Sequence, residues 1–157
     1  VGHSERRTIF GETDAIVAKK TKADYRHKLV PILCVGENAA ERKAKKTISK
    51  VTKQVVSALA GIAAQDASLL VIAYEPLWAI GSGNNATASD ALEVAQAIRA
   101  KIAALYDEEV AKRVRILYGG SVKANNAHGF HVEGLDGVLV GGASLKAKEF
   151  TSLVLKY

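Results

Sequence analysis

Four apolar, strand-like runs recur along the chain: Val30 to Val35, Leu69 to Ala73, Val114 to Tyr118 and Val138 to Val140, with helix-like segments between and after them. This alternation constrains the fold more than any other feature. Runs rich in Val, Ile and Leu suit strands buried on both faces, and strands separated by helices join as parallel neighbours. The pattern predicts an α/β chain of repeated βα units around a parallel sheet, organised as a single domain over residues 1–157. One helix is expected from Ala39 to Ile62, opened by a capping-box relation between Asn38 and Glu41. Another begins near Ser89, with Ala91, Ala95, Ile98, Ile102 and Leu105 on one buried face. Two more are expected, near Asp14 to Lys28 and after Ala143.

Each run ends in its own punctuation: Gly36-Glu37, Glu75-Pro76, Gly119-Gly120-Ser121 and Gly141-Gly142. Polar chemistry therefore collects at the carboxyl edge of the sheet. That edge is the catalytic face of a β/α barrel and the ligand crevice of an open doubly wound sheet, and both architectures remain open on this pattern. The segment AYEPLWAIGSG, Ala73 to Gly83, sets Glu75 at a strand end before a glycine-punctuated loop. It reads either as a catalytic base under a lid or as an ordinary loop with a surface glutamate. The two glycine clusters offer backbone amides at the starts of following helices, an arrangement suited to phosphate. His3 precedes a short helical turn that Ser4 and Glu5 help to cap. A helix N-terminus there favours a neutral imidazole.

Composition narrows the classes. With 48% apolar and 24% charged residues the chain is ordinary for a globular protein, and its apolar runs are far shorter than a membrane helix needs. Residues 1–7 are mostly polar or charged and give no signal-peptide pattern, and Cys34 has no second cysteine to pair with, so a cytoplasmic location is expected. A net charge of +6 and a pI near 9.4 suit an anionic partner. The cluster Arg42, Lys43, Lys45, Lys46, Lys50 and Lys53 lies apart from the stripe Ala44, Ile48, Val51, Val55 and Leu59. It reads as a solvated helix face rather than a nucleic-acid surface, since no binding motif accompanies it. His128 and His131 lack further ligands at metal-binding spacing, so no metal and no other cofactor is expected.

Together GHSERR (Gly2 to Arg7), CVGE (Cys34 to Glu37), AYEPLWAIGSG, YGGSV (Tyr118 to Val122) and LVGGASL (Leu139 to Leu145) resemble the triosephosphate isomerase family, in its order and close to its spacing. The resemblance covers essentially the whole chain. It implies the second half of a TIM (β/α)8 barrel and a small phosphorylated triose as substrate, with no nucleic-acid or membrane partner. By the same resemblance Glu75 is the proton-transferring base, His3 the neutral electrophile and Glu5 a supporting residue. Gly81, Ser121, Gly141 and Gly142 match the phosphate grip, and Pro76 to about Thr87 the lid. Glu12, Cys34, Glu37, Arg42 and Tyr118 match positions expected to pack, pair or latch.

A full barrel takes about 250 residues and eight strands, whereas four strands and a stub at Val1-Gly2 are read here, so a C-terminal fragment is expected. The family's active-site asparagine and lysine, and the loop that builds its homodimer, fall in the part not represented. The chain alone is therefore expected to be inactive. An alternative is a non-catalytic half-barrel that only binds phosphate. Two departures from the family stand out: Asn84-Asn85 at the distal lid hinge, expected to change closure timing, and Lys45 where glycine is usual.

Overall fold

The computed structural model describes residues 1–80 and 86–157. Four strands, β1 (Ile32–Val35), β2 (Val71–Tyr74), β3 (Arg115–Tyr118) and β4 (Gly137–Val138), form one parallel sheet in the order β1-β2-β3-β4. The register runs Cys34 to Ala73 to Leu117, with Gly137 beside Leu117. A doubly wound sheet reverses its strand order at a switch point, and this one does not. Sequential order with right-handed crossovers places the connecting helices on one face, the arrangement of a barrel wall.

The chain start joins this wall. The Val1 amino group donates to the Ile32 carbonyl at 2.6 Å and the Cys34 amide donates to the Val1 carbonyl at 2.9 Å, the slanted pattern of a parallel ladder on the free edge of β1.

The helices are α1 (Ser4–Thr8), α2 (Asp14–Arg26), α3 (Ala39–Lys43), α4 (Thr47–Leu59), α5 (Ala64–Ala67), α6 (Ala88–Leu105), α7 (Glu108–Arg113) and α8 (Ala147–Lys156). Successive large helices pack on one another, α2 against α4 and α4 against α6. Val17, Val51, Val55, Ala58, Ala91, Val94, Ala95, Ile98 and Ile102 meet Leu33, Val35, Ile72, Tyr74, Ile116 and Tyr118 in one core. The opposite face of the sheet carries Cys34, Ala73 and Leu117.

Several boundaries differ from expectation. The helix expected from Ala39 to Ile62 is two helices, because Lys45 takes the left-handed conformation at φ 56°. That residue ends α3 as a glycine would and leaves Ala44 exposed, outside the buried stripe. Leu105, at the end of the α6 stripe, is also exposed. The strand around Leu69 to Ala73 moves towards the carboxyl end: Leu69 faces solvent while Tyr74 is fully buried. α6 starts one residue early behind a Thr87-Asp90 capping box, and α7, unforeseen, is capped by Asp107. No α-helix follows Ser121 directly. The loop closes instead through the Asn126 side chain, which donates to the Ser121 carbonyl and accepts from the Lys123 amide, both at 2.8 Å.

Candidate active site

Side chains alternate along β2, so Ile72 and Tyr74 enter the helix-packed core while Val71, Ala73 and then Glu75 face the other way. The Glu75 backbone continues the sheet, its amide donating to the Val35 carbonyl at 2.7 Å. The residue is only 2% exposed. Two groups from the chain start hold it: the Ser4 amide donates to Oε2 at 2.8 Å, and His3 Nε2 lies 3.3 Å from Oε1. Burial raises the Glu75 pKa above the usual carboxylate value, while the Ser4 amide, His3 and the Cys34 thiol partly oppose the rise. Cys34 is pushed up to about 12 by burial and by the Glu75 charge, so it stays a neutral thiol against the carboxylate.

His3 is itself the N-cap of α1, its Nδ1 accepting from the Glu5 amide at 3.3 Å; Ser4 and Glu5 do not supply the cap as expected. With Nδ1 an acceptor, the neutral ring carries its proton on Nε2, a tautomer assigned from this hydrogen-bond pattern. The chain can turn into this cap because Gly2 sits at φ 70°, where a Cβ would lie 2.8 Å from Arg7 Nη2. Arg7 braces the turn, donating to the Gly2 carbonyl, to Asp14 Oδ1 and to the Cys34 carbonyl. Nearby, Glu12 is buried and paired with Arg6 and Lys20.

Beside this pair opens a cleft of about 740 Å³. Its lining includes His3, Glu5 and Ile80 on one side and Ser121, Gly141 and Gly142 on the other. Among the described residues, the amides of Gly120, Ser121, Gly141 and Gly142 donate to no protein acceptor. The Gly141 carbonyl is turned away and taken by the Ser144 amide and hydroxyl. A short 3-10 turn, Gly142–Leu145, follows before α8. The cleft thus opposes an imidazole, backed by the buried Glu75 carboxylate, to a wall of free backbone donors, a shape and polarity suited to a small anion.

A family model described as "Triosephosphate isomerase" matches residues 1–157. The chain belongs to the triosephosphate isomerase family. It is 52% identical over 155 residues to the triosephosphate isomerase of Caldanaerobacter subterraneus subsp. tengcongensis, covering 98% of this chain and 62% of that relative. It is 52% identical over 154 residues to the one of Streptomyces avermitilis (98% and 60% covered) and 54% over 155 residues to the one of Endomicrobium trichonymphae (98% and 62%). The chain therefore spans about three fifths of the length of the relatives it matches. The four-stranded parallel sheet with its helices is part of the family's barrel.

Of the residues singled out from the family motifs, the structure gathers His3, Glu5, Ser121, Gly141 and Gly142 on the cleft and buries Glu75 beside His3. Gly81 and the Asn84-Asn85 pair lie outside the described residues. The two flanks of that segment meet at Arg42. Its guanidinium stacks 4.3 Å over the Trp78 ring on one side and bonds Asp90 Oδ1 at 2.6 Å on the other. Arg42 therefore leaves the solvated basic face in which the sequence placed it.

Trp78 Nε1 donates at 2.8 Å to Glu37, a fully buried carboxylate that also receives the Tyr74 hydroxyl at 3.1 Å and Thr47 Oγ1 at 3.2 Å. Tyr118 stacks on Phe130 at 3.8 Å; burial pushes its hydroxyl up to about 12, with the Ala86 backbone pulling the other way. His128 and His131 turn their Nδ1 atoms to the carbonyls of Lys156 and Tyr157 at the end of α8.

Sequence reasoning missed four contributions to the site, those of Ser4, Lys123, Lys146 and the contact of Cys34 with Glu75. The Ser4 backbone donor to Glu75 is invisible because any residue has an amide. Lys123 and Lys146 line the cleft but sit in no chemical pattern. Cys34 appears in a family motif, yet only its register beside Ala73 reveals that it lies against Glu75.

Proposed function

We propose that this chain carries the base and the electrophile of a triosephosphate isomerase, the enzyme that interconverts dihydroxyacetone phosphate and glyceraldehyde 3-phosphate. One observation carries the reading: a buried carboxylate, Glu75, lies 3.3 Å from Nε2 of His3, which lines a cleft whose far wall is free backbone amides. In this reading the phosphate rests on the amides of Ser121, Gly141 and Gly142, with Gly81 completing the grip. The substrate carbonyl takes the Glu75 carboxylate's place at His3 Nε2. Glu75 removes the proton from the carbon next to that carbonyl, leaving an enediolate, and returns it to the former carbonyl carbon, while the hydroxyl proton passes from the first carbon's oxygen to the former carbonyl oxygen, so that carbonyl and hydroxyl exchange places. His3 Nε2–H stabilises the oxygen on which negative charge develops. A carboxylate whose pKa is raised by burial is a better-matched base near neutral pH than an exposed one.

Glu5 supports the arrangement, since its amide fixes the imidazole tautomer. The remaining charge stabilisation, the homodimeric assembly and the cytoplasmic setting belong to the whole protein, of which this chain is read as the C-terminal part. Among the described residues no helix is long and apolar enough to cross a membrane.

The test is a coupled isomerase assay on the full-length protein and on Glu75→Gln. The amide cannot accept the proton, and kcat is expected to fall by at least about a thousandfold. A Glu75→Gln enzyme within tenfold of the parent would remove Glu75 from the reaction.

A further inference from the structure

Two cations in the cleft have no part in the chemistry above. Lys123 lies two residues beyond Ser121 and Lys146 four beyond Gly142, and both line the space that the free amides face. Lys123 makes no ion pair among the described residues. Lys146 makes only a loose one, its Nζ 3.9 Å from Glu149 Oε2, and its side chain is 77% exposed.

Their backbones are nonetheless fixed. Asn126 accepts from the Lys123 amide, and the Lys146 amide donates to the Ala143 carbonyl at 3.3 Å, so each lysine backbone is anchored to its glycine loop while neither ammonium is held by a close ion pair among the described residues. Most exposed lysines of this chain sit on outer helix faces. These two line the cleft itself.

We propose that Lys123 and Lys146 are a capture pair, drawing the dianionic phosphate of the substrate into the cleft before the backbone amides grip it. Glu149 partly neutralises Lys146 and so sets the strength of the attraction. This rests on the isomerase reading for the substrate, and on the cleft itself for the attraction. The amides supply fixed, short-range donors, which orient a phosphate but act over little distance. Two mobile ammonium groups add a field that reaches about one Debye length, roughly 10 Å at 0.1 M salt. Within a low-dielectric cleft such a field raises encounter rates. Lysine suits capture because a compact, strongly hydrated charge on a flexible stem attracts the anion without locking it in a bidentate grip.

The role separates from that of Glu75 and His3 by its salt dependence. In the full-length enzyme, kcat/KM is measured from about 20 to about 300 mM ionic strength for the parent, for the Lys123→Gln/Lys146→Gln double variant, for Glu149→Gln and for Lys112→Gln. The last removes a positive charge from α7, away from the cleft. The double variant is expected to lose about fivefold in kcat/KM at low salt and to converge on the parent at high salt, with kcat nearly retained. Glu149→Gln should move the low-salt value upwards, and Lys112→Gln should track the parent.

A second arm titrates inorganic phosphate calorimetrically, with about threefold weaker binding expected in the double variant. This arm reads the lysines even if the parent shows no turnover, an outcome that would sink the isomerase reading but not the capture pair. A double variant with the parent's salt dependence and phosphate affinity, or one matched by Lys112→Gln, overturns the proposal.

Discussion

Gly36 is the position where one methyl group should do most damage. It ends β1 against the turn out of β2, and a Cβ built on it would lie 1.8 Å from the Glu75 carbonyl oxygen and 2.7 Å from its carbon. Real contacts of this kind stop near 3.0 Å, so the two segments must part by more than an ångström. No flexible side chain can yield, because the obstacle is backbone. The Glu75 amide is tied to Val35, the Gly119 amide to Tyr74 at 2.7 Å and the Leu77 amide to the Glu37 carbonyl at 3.1 Å. Gly36 itself donates to Gln54 Oε1 at 2.9 Å.

Overpacking costs about 1–3 kcal/mol even where side chains can adjust. Losing one or two of these hydrogen bonds adds about 1 kcal/mol each. Gly36→Ala should therefore destabilise the full-length protein by about 4 kcal/mol in urea unfolding at fixed protomer concentration. Gly129→Ala, where a Cβ meets nothing within 4 Å, should stay within about 1 kcal/mol of the parent. The same displacement moves Glu75 relative to His3, and a misplacement of about 1 Å costs roughly a hundredfold in rate. A Gly36→Ala protein as stable as Gly129→Ala, with kcat intact, would show that the two strand ends are not locked as described.

Burial raises the Glu75 pKa above 4.5, so ionising it opposes folding. Between the unfolded value and the raised folded value the native state binds more protons, and stability must fall as pH rises through that window. Glu75→Gln should lack this fall and be the more stable protein above it, and superimposable pH–stability curves would contradict the account. Lys45→Gly should relieve the left-handed strain at φ 56°, gaining about 0.5 kcal/mol after the extra chain entropy of glycine is subtracted. Differential scanning calorimetry would read this as a small rise in Tm, and a clear drop would mean that the lysine side chain contributes packing there.

The strands were legible because burial on both faces forces apolar runs, and their ends because glycine and glutamate break them. The ordering β1-β2-β3-β4 was not legible from the strand pattern alone, since each strand would suit a barrel wall or a doubly wound sheet; the family motifs, read together, pointed to the barrel wall that the sheet forms. Lys45 hid a helix break because lysine is a good helix former; the one hint was that the family usually has glycine there, the residue a left-handed turn favours. The motif residues on the cleft carried a chemical pattern that could be read in one dimension. Ser4, Lys123 and Lys146 carried none: an amide and two surface-type cations gain a place at the site only from the way distant segments meet.

The hydrogen bond from Ser4 to Glu75 joins residues 71 apart in sequence. Contacts of such separation carry a large loop-closure cost and form only as the sheet between them is completed. A growing or partly folded chain therefore has its glutamate and its histidine but no constellation, and on the proposed isomerase reading turnover waits until assembly is finished. Recovery of turnover during refolding would mark the moment the wall closes, and a half-made molecule would be silent rather than error-prone towards a reactive intermediate.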